Sequence, residues 1–409
     1  MSTQTTPKSP MSRPEFIAMC AMLFATIAFS IDAMLPALPE IGQELSPENL
    51  NRAQLILTSF VLGMGIGTFF TGPLSDRFGR KPVLIGGAML YTVCAFVAWR
   101  SQTLETVLIA RMVQGIGAAG PRIVTMAIIR DMFSGREMAR IVSFAMMIFT
   151  IVPAFAPALG AVIIDFAGWR SIFVSFMVFS IITALWVAIR QPEPLAIENR
   201  RPFSLSRLIA AVSEMWAIPA VRISILVQSL IFGVLFAVIS SVQQIYDISF
   251  EHGHDFHLWF AGVALISGSA SFLNARLVMR LGMRYLITVT KGAQILFAAA
   301  MVLATMILPL GETLFYVFVF WQLTVFFSIG MTIGNLNALA MEPLGHMAGT
   351  AASVMGAIAT IAGAAIAMPI GLAFDGTPLP LALSTTICSA FGFWLMLRMK
   401  HIEQGQATT

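Results

Sequence analysis

GPLSDRFGRKP, residues 72–82, places one acid and three bases between two long apolar runs. The runs are Gln54 to Leu74 before it and Val83 to Trp99 after it. Each has the length needed to cross a bilayer core, about 20 apolar residues. The charged stretch therefore reads as a short turn at a membrane face.

The rest of the chain has the same character. Hydrophobic residues make up 58% and charged residues 11%, against about a quarter charged in ordinary globular proteins, and mean hydropathy is +0.85. Apolar runs lie at 16–38, 54–74, 83–100, 104–128, 139–164, 170–190, 219–245, 257–277, 285–308, 313–338, 349–373 and 379–399. All should be helical, because a lipid-exposed backbone must satisfy its own hydrogen bonds and the runs are too long and continuous for barrel strands. The expected fold class is an all-α membrane protein of twelve transmembrane helices.

Lys and Arg set the orientation. Of the 24, Arg52, Arg100 and Arg170 fall on one side and Arg111 and Arg122 fall inside a span; the other nineteen, Lys291 among them, fall on the opposite side. That side is expected to be cytoplasmic and to hold both termini, in a multi-pass protein of the inner (plasma) membrane. The formal charge of +4 and pI near 9.2 then reflect topology and attraction to anionic lipid headgroups, not a nucleic-acid surface. The run from Phe16 to Leu38 is longer than a signal-peptide core and contains Asp32, so an uncleaved span is expected. Cys20, Cys94 and Cys388 lie in separate apolar runs without metal-type spacing, which suggests neither a disulfide framework nor a zinc site.

The pattern breaks at Gln191 to Ala217, where QPEPLAIENRRP is Pro-rich and charged, with six spans on each side. Residues 1–190 are expected to form an N-terminal six-helix bundle, 191–218 a cytoplasmic linker and 219–409 a C-terminal six-helix bundle. Within the linker Leu205, Leu208, Ile209, Val212, Met215 and Trp216 recur at helical spacing. They suit a short amphipathic helix lying on the membrane face, or one packed on the bundle. A shift of 203 residues aligns Leu62 with Leu265, Gly65 with Gly268, Arg77 with Arg280 and Gly79 with Gly282, while Met279 stands opposite Asp76. Parallel repeats of this kind suit a two-domain secondary transporter.

Further motifs narrow the reading. GPLSDRFGRK fits the pattern G-x-L-a-D-r-x-G-r-k, and RMVQGIGAA, residues 111–119, fits R-x-x-q-G-x-g-a-a. DAMLPALPEI, from Asp32, and NLNALAMEPLGHMAGTAASVMGA in the second half are also distinctive. On these segments the chain resembles the major facilitator superfamily, and within it the bicyclomycin/chloramphenicol-resistance (Bcr/CflA) subfamily of drug:proton antiporters. VPAFAPALGA in the fifth span keeps Pro157 and Gly160 of the exporter pattern but carries Val152, Ala156 and Ala161 at its glycine positions. The resemblance implies two pseudo-symmetric six-helix bundles in the major facilitator fold, alternating access and a conformational gate at Gly72, Asp76, Arg77, Gly79, Arg80, Pro157 and Gly160. Physics supports a gate, since Asp76 can face the positive N-terminus of a neighbouring helix while Arg77 and Arg80 hold acidic or carbonyl partners. The plainer alternative makes these bases topological anchors.

An ionisable residue deep in a span is a functional candidate by default. Asp32 lies six residues before Leu38, and Arg111 seven residues after Leu104, which puts both about 9–10 Å deep by helical rise. The resemblance places spans one and four together beside a central cavity. Asp32 is accordingly expected to carry the proton and Arg111 to tune it; a static buried ion pair is the alternative. Arg122 follows three helical turns after Arg111, with Gln114 and Ala118 between them, and that face is expected to be wet. Arg122 either contacts a polar or anionic substrate group or snorkels to the interface.

The second half offers Gln228, Asn274, Gln322, Asn335 and Asn337 but no clear midspan acid or base. Gln228 and Asn335 are candidate substrate contacts, against the commoner role of amides as interhelical ties. Phe29, Met112, Met146, Phe149, Phe232 and Phe236 fall on spans expected to border the cavity, where flexible and aromatic side chains suit varied apolar molecules. EHGHDFH, with His252, His254 and His257, reads as a solvated outer loop; metal binding needs a further ligand that the sequence does not supply.

The resulting expectation is proton-coupled export of small drugs or metabolites by a chain that is not an enzyme. No cofactor beyond the proton gradient is expected, and the partners are a small-molecule substrate, protons and membrane lipid, not nucleic acid. The chain is expected to function as a monomer. The alternatives are a proton symporter importing a small nutrient and, further off, a non-transporting receptor or enzyme; no phosphate-binding loop or acyl-transfer constellation occurs in the sequence.

Overall fold

A computed structural model describes residues 11–407. Lys8 lies outside the described residues, as do the side chains of Phe149 and Lys400. Among the described residues there is helix and turn but no strand. The helices are α1 (Arg13–Asp32), α2 (Leu38–Leu45), α3 (Leu55–Phe78), α4 (Arg80–Arg100), α5 (Leu104–Met132), α6 (Gly135–Ala167), α7 (Ser171–Arg190), α8 (Leu205–Ala217), α9 (Pro219–Gln244), α10 (Phe256–Leu281), α11 (Met283–Ile307), α12 (Glu312–Met341), α13 (Ala348–Leu372) and α14 (Leu379–Ala407). Among the described residues eleven segments are long and apolar enough to cross a membrane, and one of them, the 61 residues Glu312–Leu372, contains both α12 and α13. Counting those two apart gives the twelve spans.

Local chemistry sets the helix boundaries. Ser12 caps α1 by accepting from the Glu15 amide at 3.4 Å, with Pro14 in the first turn, and Thr103 does the same for α5 through the Thr106 amide. The first span is not one continuous helix: α1 ends at Asp32, a short 3-10 turn follows at Leu35–Ala37, and α2 resumes at Leu38. The signature stretch is not a turn either. Residues through Phe78 belong to α3, Arg80 opens α4, and only Gly79 breaks the helix, at φ 104°. Gly282 does the same between α10 and α11, at φ 81°. Both values are in the region that a side chain makes costly, so the aligned glycines share one task.

The chain forms two compact units, residues 1–37 with 59–205, and residues 38–58 with 206–409. In the first, α1 packs on α5, α6 and α7, and α4 packs on α5 and α7. A Cβ added at Gly63 of α3 would run into the Met112 carbonyl, and one at Gly115 of α5 into the Phe60 carbonyl, so backbone meets backbone there. Small residues allow that approach in lipid. Arg190 closes the C-terminal end of α7 onto α1 with two bonds to Glu15, at 2.7 and 2.8 Å.

In the second unit α9 packs on α12, α13 and α14, while α11 packs on α12 and α14. Residues 38–58 join this unit. Asn51 donates to the Leu372 and Phe374 carbonyls at 3.2 and 2.7 Å; Gln244 donates to Asn51 at 2.7 Å; and Gln54 bonds Gln244 at 2.5 Å and Ser241 at 2.8 Å. The linker helix α8 buries Leu208, Ala211 and Met215 and leaves Leu205, Ile209 and Trp216 exposed.

Candidate functional site

Arg111 is the most enclosed charge in the first unit, with no measurable exposure. Its Nη2 donates to the Ser30 carbonyl of α1 and its Nη1 to Gln114 Oε1, both at 2.9 Å. Two rings flank the guanidinium, Phe60 of α3 at 4.2 Å and Phe176 of α7 at 5.6 Å to their centroids. Such faces attract a desolvated cation. The Ser30 hydroxyl shares a hydrogen with the Tyr91 hydroxyl of α4 at 2.5 Å. Four helices thus converge on one base.

Asp32 sits two residues beyond Ser30, at the last position of α1, and is 4% exposed. Among the described residues its carboxylate has no ion pair and no hydrogen bond. The direct pairing with Arg111 is absent: the two terminal nitrogens of Arg111 bond neutral groups instead, and its buried Nε has no partner among the described residues. The anticipated wet face is also absent in this conformation: Arg111, Gln114 and Ala118 are buried while Arg122 is exposed. Pro121 lies inside α5 without ending it. Gly160 of α6 faces Ala33, where a Cβ would strike the backbone just after Asp32, and Pro157 is buried one turn earlier.

A second polar cluster gathers at the α3–α4 junction. Arg80 is 4% exposed; its Nε donates to Asp131 of α5 at 2.8 Å, and its Nη1 to Asp76 at 2.5 Å and to the Ser75 hydroxyl at 2.8 Å. Asp76 therefore pairs with Arg80 one turn along, and its carbonyl takes the Arg201 amide at 3.0 Å. The carboxylate at the α4 N-terminus belongs to Glu193 of the linker, which accepts from the Arg80 and Lys81 amides at 2.9 Å each. A carboxylate there satisfies orphan donors and opposes the helix dipole. Gly79 leaves room for it, since a Cβ would press on the Glu193 carboxylate. Arg77 is exposed and stacks on Phe78 at 5.1 Å, without an acidic partner among the described residues.

Residues 18–368 match the family model described as Major Facilitator Superfamily. The chain belongs to the major facilitator superfamily. This facilitator is 29% identical over 383 residues to the uncharacterized MFS-type transporter YdgK of Bacillus subtilis, which covers 92% of this chain and 93% of the relative. It is 29% identical over 381 residues to the bicyclomycin resistance protein homolog of Haemophilus influenzae, with 91% and 93% covered. Its fold matches the xylose transporter XylE of E. coli in a partially occluded, inward-open conformation, with a TM-score of 0.70, 15% identity and coverage of 95% and 97%. The chain is thus a multi-pass membrane transporter and not an enzyme.

The facilitator's remaining candidates are mostly packed in this conformation. Phe29 faces α7, with its ring 5.4 Å from those of both Phe176 and Phe179. Phe232 and Phe236 pair at 5.5 Å and are largely buried, whereas Met112 and Met146 are half-buried. Asn335 holds Asn274 of α10 at 2.8 Å, and Gln228 of α9 reaches Asn337 of α12 at 3.4 Å. These amides act as interhelical ties here. Between α9 and α10 His252 bonds Glu312 at 3.1 Å and stacks on Phe315, while His254 bonds Asp255 at 2.7 Å. Among the described residues no three His, Cys, Asp or Glu side chains converge as a metal site would require.

Sequence reading missed Ser30, Tyr91, Asp131 and Glu193. Asp131 carries the clearest signal, an acid in the last turn of a span. The second half also departs from expectation: Lys291, counted above as a cytoplasmic anchor, lies within α11 with its side chain 5% exposed.

Proposed function

We propose that the chain is a proton-coupled antiporter that exports small, moderately apolar drugs or metabolites across the inner membrane, with both termini cytoplasmic. The observation that carries this reading is Asp32, a buried carboxylate with no cation or donor at the point where the first span breaks. An uncompensated charge there would cost several kcal/mol, so its protonation state is tied to the conformation around it. The resistance named in the Haemophilus relative agrees with an export role.

Arg111 supplies a fixed positive charge in the same unit, bonded to the Ser30 carbonyl two residues before Asp32. Its present acceptors are a neutral carbonyl and an amide. When Asp32 gives its proton to the cytoplasm, Arg111 exchanges one of these for the stronger charge-assisted bond. Reloading from the outside reverses the exchange. Proton and substrate thereby occupy the unit in alternation, and the gradient alone drives the cycle, without a cofactor, in a single chain surrounded by lipid. Arg122, exposed and outside any ion pair among the described residues, is the polar contact available to substrate. The Asp76–Arg80–Asp131 cluster, with Pro157 and Gly160 flexing α6, acts as the conformational gate.

Proteoliposomes with an imposed pH gradient and a panel of neutral, cationic and anionic compounds test direction and coupling together. Asp32→Asn should abolish pH-driven flux while retaining gradient-free exchange of a labelled compound. Unchanged pH-driven flux in that variant rejects the assignment.

A further inference from the structure

We propose that Lys291 is a second proton-exchange site, placed in the second unit, so that coupling is not confined to Asp32. This inference rests on the antiporter reading. Lys291 stands eight residues into α11, about 12 Å along the axis from its cytoplasmic start. It is 5% exposed and makes no ion pair or hydrogen bond among the described residues.

Its surroundings are the telling feature. A lysine at this depth ordinarily runs back to the interface. Here its Cδ lies 3.7 Å from the position a Cβ would take at Gly392 of α14, a position that Leu230 and Val227 of α9 also approach. Gly392 has space for it because it lacks a side chain. The side chain is therefore packed inside the unit, where α9, α11 and α14 meet. Gln294, a turn further along α11, is 2% exposed with its amide nitrogen unpartnered.

The other charged groups on the packed helices lie toward the ends. Glu312 and Tyr316 occupy the first turns of α12, Arg276 and Arg280 the cytoplasmic end of α10, Arg222 the start of α9, and Arg284 and Tyr285 the start of α11. Arg398 on α14 stacks over Trp394, one turn from it. None of these pairs with Lys291 among the described residues. An ammonium at this place lacks its usual compensation by a carboxylate or by water. Exchange between –NH3+ and –NH2 plus a proton delivered to water resolves that conflict whenever the unit rearranges. The cation is then present in one state of the cycle and absent in the other.

The chain has four lysines, Lys8, Lys81, Lys291 and Lys400, so side-chain 15N-lysine NMR of the full-length protein in lipid nanodiscs resolves the question directly. One signal, absent from Lys291→Met, should change protonation state with pH separately from the other three; a Lys291 signal that tracks the surface lysines overturns the proposal. In proteoliposomes with the potential clamped, each coupled proton supports about a tenfold accumulation ratio per pH unit. With chloramphenicol and ethidium as probes, Lys291→Met and Lys291→Arg should each lower that ratio about tenfold per unit, because neither side chain exchanges a proton. A wild-type ratio in both variants overturns the coupling role while leaving the antiporter reading intact. Probe fluxes in the wild type that ignore pH would sink the antiporter reading and the coupling role together. Lys291→Gln serves as the replacement if Lys291→Met does not fold.

Discussion

The guanidinium of Arg111 takes only neutral acceptors and lies between two phenylalanine rings, so its placement depends on planar shape as well as charge. Lysine keeps the charge but neither the fork nor the stacking. Arg111→Lys should therefore insert normally yet transport at least about tenfold more slowly, equivalent to about 1.4 kcal/mol in the barrier; wild-type flux in everted vesicles would show that charge alone suffices. Tyr91→Phe removes one of the two partners of the Ser30 hydroxyl, leaving the Thr26 carbonyl, and should lower thermal stability by about 1 kcal/mol, read as a shift in Tm. Asp32 and Arg111 were legible because a charge within an apolar run stands out in any sequence. Ser30 and Tyr91 were not: a backbone carbonyl and a hydroxyl acquire meaning only from the helices that meet around them. Lys291 lies within the run 285–308, and counting it as an anchor presumes a side chain that runs back to the interface, whereas it is buried.

At the scale of elements, the α3–α4 junction concentrates its chemistry on one residue. Gly79 turns the chain at φ 104°, a conformation that costs other residues about 1–3 kcal/mol. Gly79→Ala should lower Tm and also displace Glu193 from the start of α4; Gly282→Ala, where nothing crowds the added methyl, should show the backbone cost alone. Glu193→Gln keeps the shape of the cap but removes its charge, with an expected loss of about 0.5–1 kcal/mol that diminishes in high salt. A Tm unaffected by Glu193→Gln at low salt would mean the linker is merely resting there. The pairing of Gly79 with Gly282 could be read from the repeat, because a required backbone conformation leaves a residue-type signature. The role of Glu193 could not, since a capping carboxylate more than 110 positions away in sequence looks like any charged linker residue.

Across the whole molecule, the number of spans was legible because lipid demands long, apolar, internally bonded helices. The segment 38–58 was less so: by sequence it joins the first two spans, but it packs with residues 206–409. Its amides bond across that association beside buried Ile41, Ala53, Ile56 and Leu57, and amides give no periodic signal. A Gln54→Cys/Gln244→Cys double variant, oxidised in membranes, should form a disulfide and lose transport reversibly, with recovery on reduction. Full transport in the oxidised form would mean that these two positions never separate during the cycle.

That packing also bears on how the protein is made. A cut in the linker would leave residues 38–58 on one polypeptide and their binding surface on α9 and α13 on the other. Fragments produced in separate cells would each reach the bilayer with a face shaped for a missing segment. Reassembly would then depend on synthesis into the same membrane, and purified halves should not be expected to combine on mixing.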